Sequence, residues 1–379
     1  MKPKFLAASL LGIVLMYGSL PAQADDVPQN ATFTTLITTP LAVEGLTGDA
    51  AGNLYTTGRG GNPCPVWRIN LANPSLVVVG NVAALCSPSG IALNDVGDIF
   101  ISQGSTVLTL TPNANNPPAA QTYATGVEGT NGLAFDKDGN LWTGDGTTGH
   151  GRVWKIGPGG GDCTAGAEDN CAEVFRIQPM LNGANFGGNL PGDGVGRRAV
   201  TVPVGAQQPL VANGLAFNTK GDLFVADTAR GAIWKVEFNA DGSLKSRTGC
   251  DETFTENTLC LDNIWVSHAY NEGTDGIALD RKGNIWSSAN ERNAIVVVTN
   301  KGQVIEIFRN PVNTNTQLRN AASNPADNNR ILEFPTSPFL LGTVLCTSNS
   351  DGDRRDNSPN GAGEISPAGP NRGKISCMD

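Results

Sequence analysis

The sequence predicts an all-β protein, a six-bladed β-propeller whose blades are four-stranded antiparallel sheets. The main observation is a repeated unit, in which a polar residue opens a short apolar strand and a D/N-x-x-G-D/N turn follows, with its glycine eight positions after the opening residue. The unit occurs five times, opening at Glu44, Ser89, Asn131, Asn213 and Asp275, each followed by a glycine. The second observation is the lack of α-helical periodicity of any length. A strand-and-turn unit repeated every ~40 residues or more is typical of propeller blades.

Each unit continues past its turn into further strands. The segments concerned alternate in polarity, contain β-branched and aromatic residues, and are bounded by Gly, Asn and Asp, which is typical of antiparallel strands. Second strands are predicted at 54–56, 99–101, 141–143, 223–225 and 285–287, and third strands at 66–69, 107–110, 153–156, 233–236 and 295–298. Fourth strands are clearest at 75–79 and 304–308, whereas that of the third blade has no defined place between 157 and 205. Trp67, Trp154 and Trp234 recur at one strand position and are predicted to fill the core between blades.

A degenerate sixth unit opens at Ser337 and continues at 344–347. The segment 31–37 is predicted to supply the outer strand of this last blade, which would close the ring and remove its open edge. The polar tail from about 348 to 379 is predicted to be a loop pinned by Cys377. Wide spacing between units predicts surface insertions at 157–205 and 241–262, a common position for binding loops.

The first 24 residues have the pattern of a cleaved secretory signal. Lys2 and Lys4 precede an apolar stretch, and Ala22-Gln23-Ala24 provides a small-residue cleavage site. We therefore expect a periplasmic or secreted protein in which 25–379 form a single propeller domain, with its core at about 31–347.

The eight cysteines are expected to form disulfides, because an even number in an exported chain is typical of a disulfide framework. None has C-x-x-C spacing, which argues against a zinc or redox motif. Eight cysteines allow 105 connectivities. We favour nearest-neighbour pairing, which gives Cys64–Cys86, Cys163–Cys171, Cys250–Cys260 and Cys346–Cys377.

Charge limits the class of partner. The net charge is −9 and the chain has no Lys/Arg cluster, which argues against nucleic acid and anionic membrane surfaces. We expect a small-molecule substrate, no nucleic acid and no membrane contact after signal cleavage. The sequence does not determine the oligomeric state.

The opening residues are the candidate site. In a propeller, equivalent positions of all blades converge on the central axis, so these residues would line a shared pocket. A turn role alone would favour the same residue in every blade, but the set mixes carboxylates, carboxamides and hydroxyls. Carboxylate and amide oxygens together favour hard cations. Calcium is the expected ion, with magnesium, manganese or zinc as alternatives.

The order of these motifs resembles the senescence-marker-protein (regucalcin), gluconolactonase and strictosidine-synthase-like superfamily of six-bladed propellers. The resemblance covers roughly 40–346 and is carried by Glu44-Gly45, by Asn213-Gly214-Leu215-Ala216 with Val225-Ala226-Asp227-Thr228, by Asp275-Gly276-Ile277 and by Pro335-Thr336-Ser337. It implies a divalent metal held by Glu44, Asn213 and Asp275, with Asn131 as a fourth ligand or a substrate contact. Ser89 is a further candidate substrate contact. One departure is Gly129, where the sugar-lactone enzymes of the family often carry an arginine.

The function that this resemblance implies is hydrolysis of a lactone or related ester by a metal-dependent enzyme. Asp275 is then the candidate proton-handling carboxylate, and His268 is a candidate general base. One alternative is a non-catalytic ligand-binding propeller with a structural calcium ion. Another is a lyase or condensing enzyme that works without metal, for which His268 is the histidine of choice.

Overall fold

Six four-stranded antiparallel blades follow one another along the chain. The structure is a computed structural model that describes residues 27–164, 170–178, 212–310, 331–350 and 373–378. The predicted signal segment 1–24 lies outside the described residues, as do 165–169 and 179–205 of the first predicted insertion and 351–372 of the predicted tail. Within the described chain, no helix is long and apolar enough to cross a membrane.

The predicted strands of the first five blades are present. From the innermost strand outward, the blades consist of β2 (Val43–Gly48), β3 (Asn53–Gly58), β4 (Cys64–Asn70) and β5 (Val77–Val82); β6 (Ile91–Leu93), β7 (Ile99–Gln103), β8 (Thr106–Leu110) and β9 (Gln121–Thr125); β10 (Thr130–Phe135), β11 (Leu141–Asp145), β12 (Arg152–Ile156) and β14 (Cys171–Arg176); β15 (Leu215–Phe217), β16 (Leu223–Asp227), β17 (Ala232–Val236) and β18 (Ile264–Ser267); and β19 (Thr274–Leu279), β20 (Ile285–Ala289), β21 (Ala294–Val298) and β22 (Val304–Arg309). A two-residue strand, β13 (Gly161–Asp162), adds to the second blade in parallel with β9. The fourth strand of the third blade, which had no defined place in the sequence, is β14.

The sixth blade closes the ring with the two ends of the chain. Its strands are β23 (Pro335–Leu341), β24 (Val344–Asn349), β25 (Gly373–Met378) and, outermost, β1 (Phe33–Thr39). The predicted closure by the N-terminal segment is confirmed by the pairing of β1 with β25. The tail prediction was wrong for 373–378, which form the third strand of the blade rather than a loop. The sequence pattern missed this strand because Gly and Lys open it and it lies far from the rest of its unit.

The repeated turns form for a local reason. In each, the first Asp or Asn accepts hydrogen bonds from the backbone amides two and four positions later through Oδ1, as Asp136 does from Asp138 and Asn140. The turn glycine has a positive φ in all five copies, for example 79° at Gly139, which is a conformation that glycine adopts without steric cost. The side chain and the glycine together fix the register between the first two strands of each blade.

The hydrophobic core lies at the junctions between blades, and each of the six junctions has its own cluster of buried side chains. Trp67, Trp154 and Trp234 are buried in three of these clusters, as predicted. Four disulfides join the nearest-neighbour cysteine pairs, which confirms the favoured connectivity. Four disulfides indicate a non-cytoplasmic protein, because such bonds persist in oxidising compartments.

Candidate functional site

Five opening residues and Thr336 of the sixth blade form one closed ring, and the glycines that follow the five make the ring possible. The prediction of Ser337 for the sixth blade was wrong by one position, because strand pairing aligns Thr336 with Asp275. A Cβ added at Gly132 would lie 2.3 Å from the Asn213 carbonyl oxygen, and one at Gly214 would lie 2.4 Å from that of Asp275. Each glycine therefore touches the backbone of the next blade, so that a side chain larger than hydrogen does not fit. The same contact joins Gly45 to Ser89, Gly90 to Asn131 and Gly276 to Thr336, and the Thr336 hydroxyl closes the ring with a 2.6 Å hydrogen bond to the Glu44 carbonyl oxygen.

The side chain of Asn213 is held in a single orientation. Its Nδ2 donates to the Thr228 hydroxyl at 3.0 Å, and that hydroxyl donates in turn to the Thr274 carbonyl oxygen at 2.7 Å. Because the hydroxyl proton is used on Thr274, Thr228 must accept from Asn213, which fixes the amide nitrogen on that side. The Oδ1 atom of Asn213 therefore remains available as an oxygen donor.

Asp275 is positioned by a neighbouring amide in the same way. Asn290 is fully buried, and its Nδ2 donates to Asp275 Oδ2 at 2.9 Å. The Oδ1 atom of Asn290 is also buried and has no hydrogen-bond partner among the described residues. A buried polar atom without a partner is unusual in a folded protein, and it is typical of sites that take up water or an ion.

Glu44 has a positively charged neighbour. Arg59 Nη1 forms an ion pair with Glu44 Oε2, and both side chains are only partly exposed, at 28% and 17%. Glu44 is thus the ring carboxylate whose charge is balanced by an arginine of its own blade.

Asn131 and Ser89 occupy the ring positions between Glu44 and Asn213, and both are buried. The Asn131 amide packs against Gly146, where an added Cβ would lie 2.6 Å from Nδ2. Within the described part of the chain, this amide has no hydrogen-bond partner. The Ser89 hydroxyl donates to the Thr130 carbonyl oxygen at 3.2 Å and keeps its lone pairs available.

The residues that support the ring share a sequence offset that our sequence reasoning missed. Each is the first residue of the loop after the second strand and lies fifteen positions beyond the opening residue. The pairs are Glu44 with Arg59, Asn131 with Gly146, Asn213 with Thr228, and Asp275 with Asn290. A fixed offset in a repeat was the signal that would have identified them, but their residue types differ in every blade.

Two buried carboxylates near the ring have structural partners, as the sequence suggested. Asp145 ends β11 and accepts from the backbone amide of Thr148 at 2.8 Å and from Arg152. Asp227 ends β16, where burial raises its pKa and Arg230 opposes that shift. Both groups cap strand ends, and their hydrogen bonds are made with the following loop and the next strand of their own blade.

His268 lies outside the ring. It follows β18, the outermost strand of its blade, and is exposed. Its Nδ1 accepts from the Tyr270 backbone amide at 3.0 Å, and its ring packs edge-on against that of Tyr270. The outermost strand is three strand spacings, ~14 Å, from the innermost strand.

The ring has a donor set that suits an oxygen-coordinated cation. Glu44 and Asp275 supply carboxylates, and Asn131 and Asn213 supply carboxamide oxygens. Hard divalent cations favour such ligands, and calcium tolerates their irregular geometry best. Among the described residues there is no group of three or more His, Cys, Asp or Glu side chains suited to a metal. The predicted set contains only two carboxylates, so its capacity to bind a cation depends on the two amide oxygens.

The resemblance to a known family is confirmed by comparison with known proteins. Residues 195–319 match the family described as SMP-30/Gluconolactonase/LRE-like region. This segment contains the Asn213 and Asp275 motifs, whereas Glu44 and Asn131 lie outside it. No curated protein matches the chain by sequence.

Several solved structures share the propeller fold. The calcium-binding protein regucalcin from Agrobacterium tumefaciens is 15% identical, with a TM-score of 0.53 over 84% of this chain and 86% of that protein. A gluconolactonase from Xanthomonas campestris is 15% identical, with a TM-score of 0.51 over 93% and 90%. A luciferin-regenerating enzyme is 12% identical, with a TM-score of 0.54 over 92% and 95%. At these identities the similarity establishes the six-bladed fold and no more.

Proposed function

We propose that this protein is an exported, metal-dependent hydrolase of a lactone or related ester. The observation that carries the proposal is the ring, in which two carboxylates and two carboxamides from four different blades are brought together by backbone contact. The candidate cation ligands are Glu44, Asn131, Asn213 and Asp275, with calcium as the first candidate ion. The family match and the names of the structural neighbours favour lactone chemistry over the alternatives.

A divalent cation in this ring would supply Lewis acidity toward the carbonyl oxygen of the substrate. The protein's own groups would handle the proton. Asn290 Nδ2 donates to Asp275 Oδ2 and so orients the carboxylate, to which we assign acceptance of a proton from the attacking water. As the water oxygen bonds to the carbonyl carbon, the acyl carbon–oxygen bond of the lactone breaks, and the leaving alkoxide takes the proton that Asp275 accepted, giving a hydroxy acid. Asn131 and Ser89 would contact the polar groups of the substrate.

Asp275 is better placed for this role than His268. Asp275 is in the ring beside Asn213, whereas His268 follows an outermost strand and is exposed. The proposal therefore assigns proton transfer to Asp275 and gives no step to the histidine.

The test compares hydrolysis of a lactone and ester panel, followed by pH-stat, for chelated protein, calcium-reloaded protein and reloaded Asp275→Asn. We expect calcium to restore turnover in the native protein, and Asp275→Asn to lower it by about 10²-fold or more. Asp280→Asn is the matched control, since it makes the same change at the other end of β19, where Asn94 and Asn218 occupy the equivalent turn position.

Full turnover in Asp275→Asn would refute the proposed role. Tight calcium binding without turnover on any substrate of the panel would instead favour a ligand-binding propeller with a structural ion. Undiminished turnover in the chelated protein would favour metal-free chemistry.

A further inference from the structure

We propose that Arg59 is a built-in counter-cation of the ring, which the divalent ion displaces from Glu44 and which then binds a carboxylate group of the ligand. This inference rests on the proposed function, because it assumes that a cation binds in the ring. It adds a residue, Arg59, to which the family match and the structural neighbours assign no role.

The first support is the position of the guanidinium group. Its Nη1 contacts Glu44 Oε2, and its Nη2 donates to the Ser87 hydroxyl at 2.9 Å. Arg59 therefore bridges the ring carboxylate and the loop that leads into the second blade. Glu44 is the second residue of the innermost strand β2 and a candidate ligand of the cation. The positive charge of Arg59 therefore lies at the edge of the candidate cation site.

The second support is the way in which the arginine is anchored. Its backbone amide donates to the Ala42 carbonyl oxygen at 2.8 Å. The backbone amide of Gly60 donates to the Cys86 carbonyl oxygen at 3.2 Å. The Cys64–Cys86 disulfide joins the same two loops covalently. The backbone at Arg59 is therefore held in place, while the side chain, which is 28% exposed, reaches solvent and can change its partner.

The third support is the contrast with other blades. The residues at the same offset in the second to fifth blades are neutral, namely Gly104, Gly146, Thr228 and Asn290. The arginines of the neighbouring loops pair with acids outside the ring, Arg152 with Asp145, Arg230 with Asp227 and Arg292 with Glu306. Among these loop arginines of the described chain, Arg59 is the one whose ion pair is with a ring residue, Glu44.

The consequence is competition for one carboxylate. A guanidinium group stays charged at every accessible pH, so a cation that takes Glu44 Oε2 as a ligand displaces it from that oxygen. Once displaced, the group still lies beside the Ser87 hydroxyl, and its planar fork matches the geometry of a carboxylate. Hydrolysis of a lactone produces a carboxylate, so the ligand class assigned to Arg59 is a hydroxycarboxylate.

The experiment measures two affinities by calorimetry on the full mature protein. Calcium is titrated into metal-free protein, and gluconate, as a hydroxycarboxylate probe, is titrated into calcium-loaded protein. For Arg59→Gln we expect calcium affinity to rise about fivefold, the scale of a partly exposed ion pair, and gluconate affinity to fall by a similar factor. Arg59→Lys should retain the competition with calcium but bind gluconate less well, because it lacks the fork.

Arg292→Gln is the matched control, since it removes the same charge from the corresponding loop of the fifth blade, where the partner is Glu306 and not a ring residue. Equal tightening of calcium binding in Arg59→Gln and Arg292→Gln would overturn the inference in favour of a general charge effect. Unchanged or weaker calcium affinity in Arg59→Gln alone would also overturn it, although the proposed metal site would stand. No calcium binding by native protein or by either variant would overturn both.

Discussion

Replacing Gly214 by alanine tests whether the ring is built by direct backbone contact between blades. The added Cβ would lie 2.4 Å from the Asp275 carbonyl oxygen and 2.7 Å from the Gly276 Cα. Ordinary contact requires about 1 Å more, and both opposing atoms belong to the backbone, so rotation of a side chain cannot relieve the clash. The fourth and fifth blades must move apart, at a cost of about 1–3 kcal/mol.

The same shift would separate Asn213 from Asp275, because Gly214 and Gly276 directly follow these two candidate ligands. We therefore expect the Gly214→Ala protein to be less stable in urea and to bind calcium more weakly in a direct titration. Gly221→Ala is the matched control in the same blade. Its positive φ makes alanine cost about 1 kcal/mol, but nothing lies within 4 Å of the added Cβ, so the ring is unaffected. If both variants lose equal stability and retain native calcium affinity, the ring does not have the close contacts described here.

Two further predictions concern the neighbours of the ring and the turns. Thr228→Val leaves the Asn213 amide and the Thr274 carbonyl oxygen without their shared partner. We expect the free energy of unfolding in urea to fall by about 1–3 kcal/mol and calcium to bind more weakly. Unchanged calcium affinity would show that the hydroxyl does not orient the amide. Burial raises the pKa of Asp136, but hydrogen bonds from Trp142 and Asn140 outweigh it and hold that pKa below its ordinary value. The stabilisation is therefore complete above the unfolded pKa of about 3.9 and is lost as pH falls through the lower folded value. Asp136→Asn should flatten the decline of urea stability below about pH 4, and an acid slope equal to that of the native protein would contradict this assignment.

Much of the fold followed from local pattern. The turns could be predicted because the Asp or Asn and the glycine satisfy their requirements within a few residues, as in Asp136 to Asn140. The third strand of the last blade could not, because residues 373–378 are assigned to that blade only by pairing with β24 and β1. A strand that is defined by distant partners carries little signal of its own.

The candidate site shows the same division. That Glu44, Asn131, Asn213 and Asp275 are equivalent positions was visible in the fixed spacing of the repeat. The sequence could not show that Thr228 orients one of them, that Asn290 holds another, or that Arg59 neutralises a third, because each support depends on the atom that a side chain reaches. His268 illustrates the converse, since its proximity in sequence to Asp275 did not bring it into the ring.

The sequence by itself determined the blade count, the register of the five repeated turns and the residues that open the first five innermost strands, and it favoured the disulfide pairing that the structure has. These features depend on short-range stereochemistry and on periodicity, both of which follow from the residue types and their spacing in the sequence. The tertiary structure decided which backbones touch around the axis, which oxygen atoms are available and which charge faces Glu44. Those properties arise when blades far apart in sequence close into a ring, where contacts of a few ångströms fix the direction of each polar group.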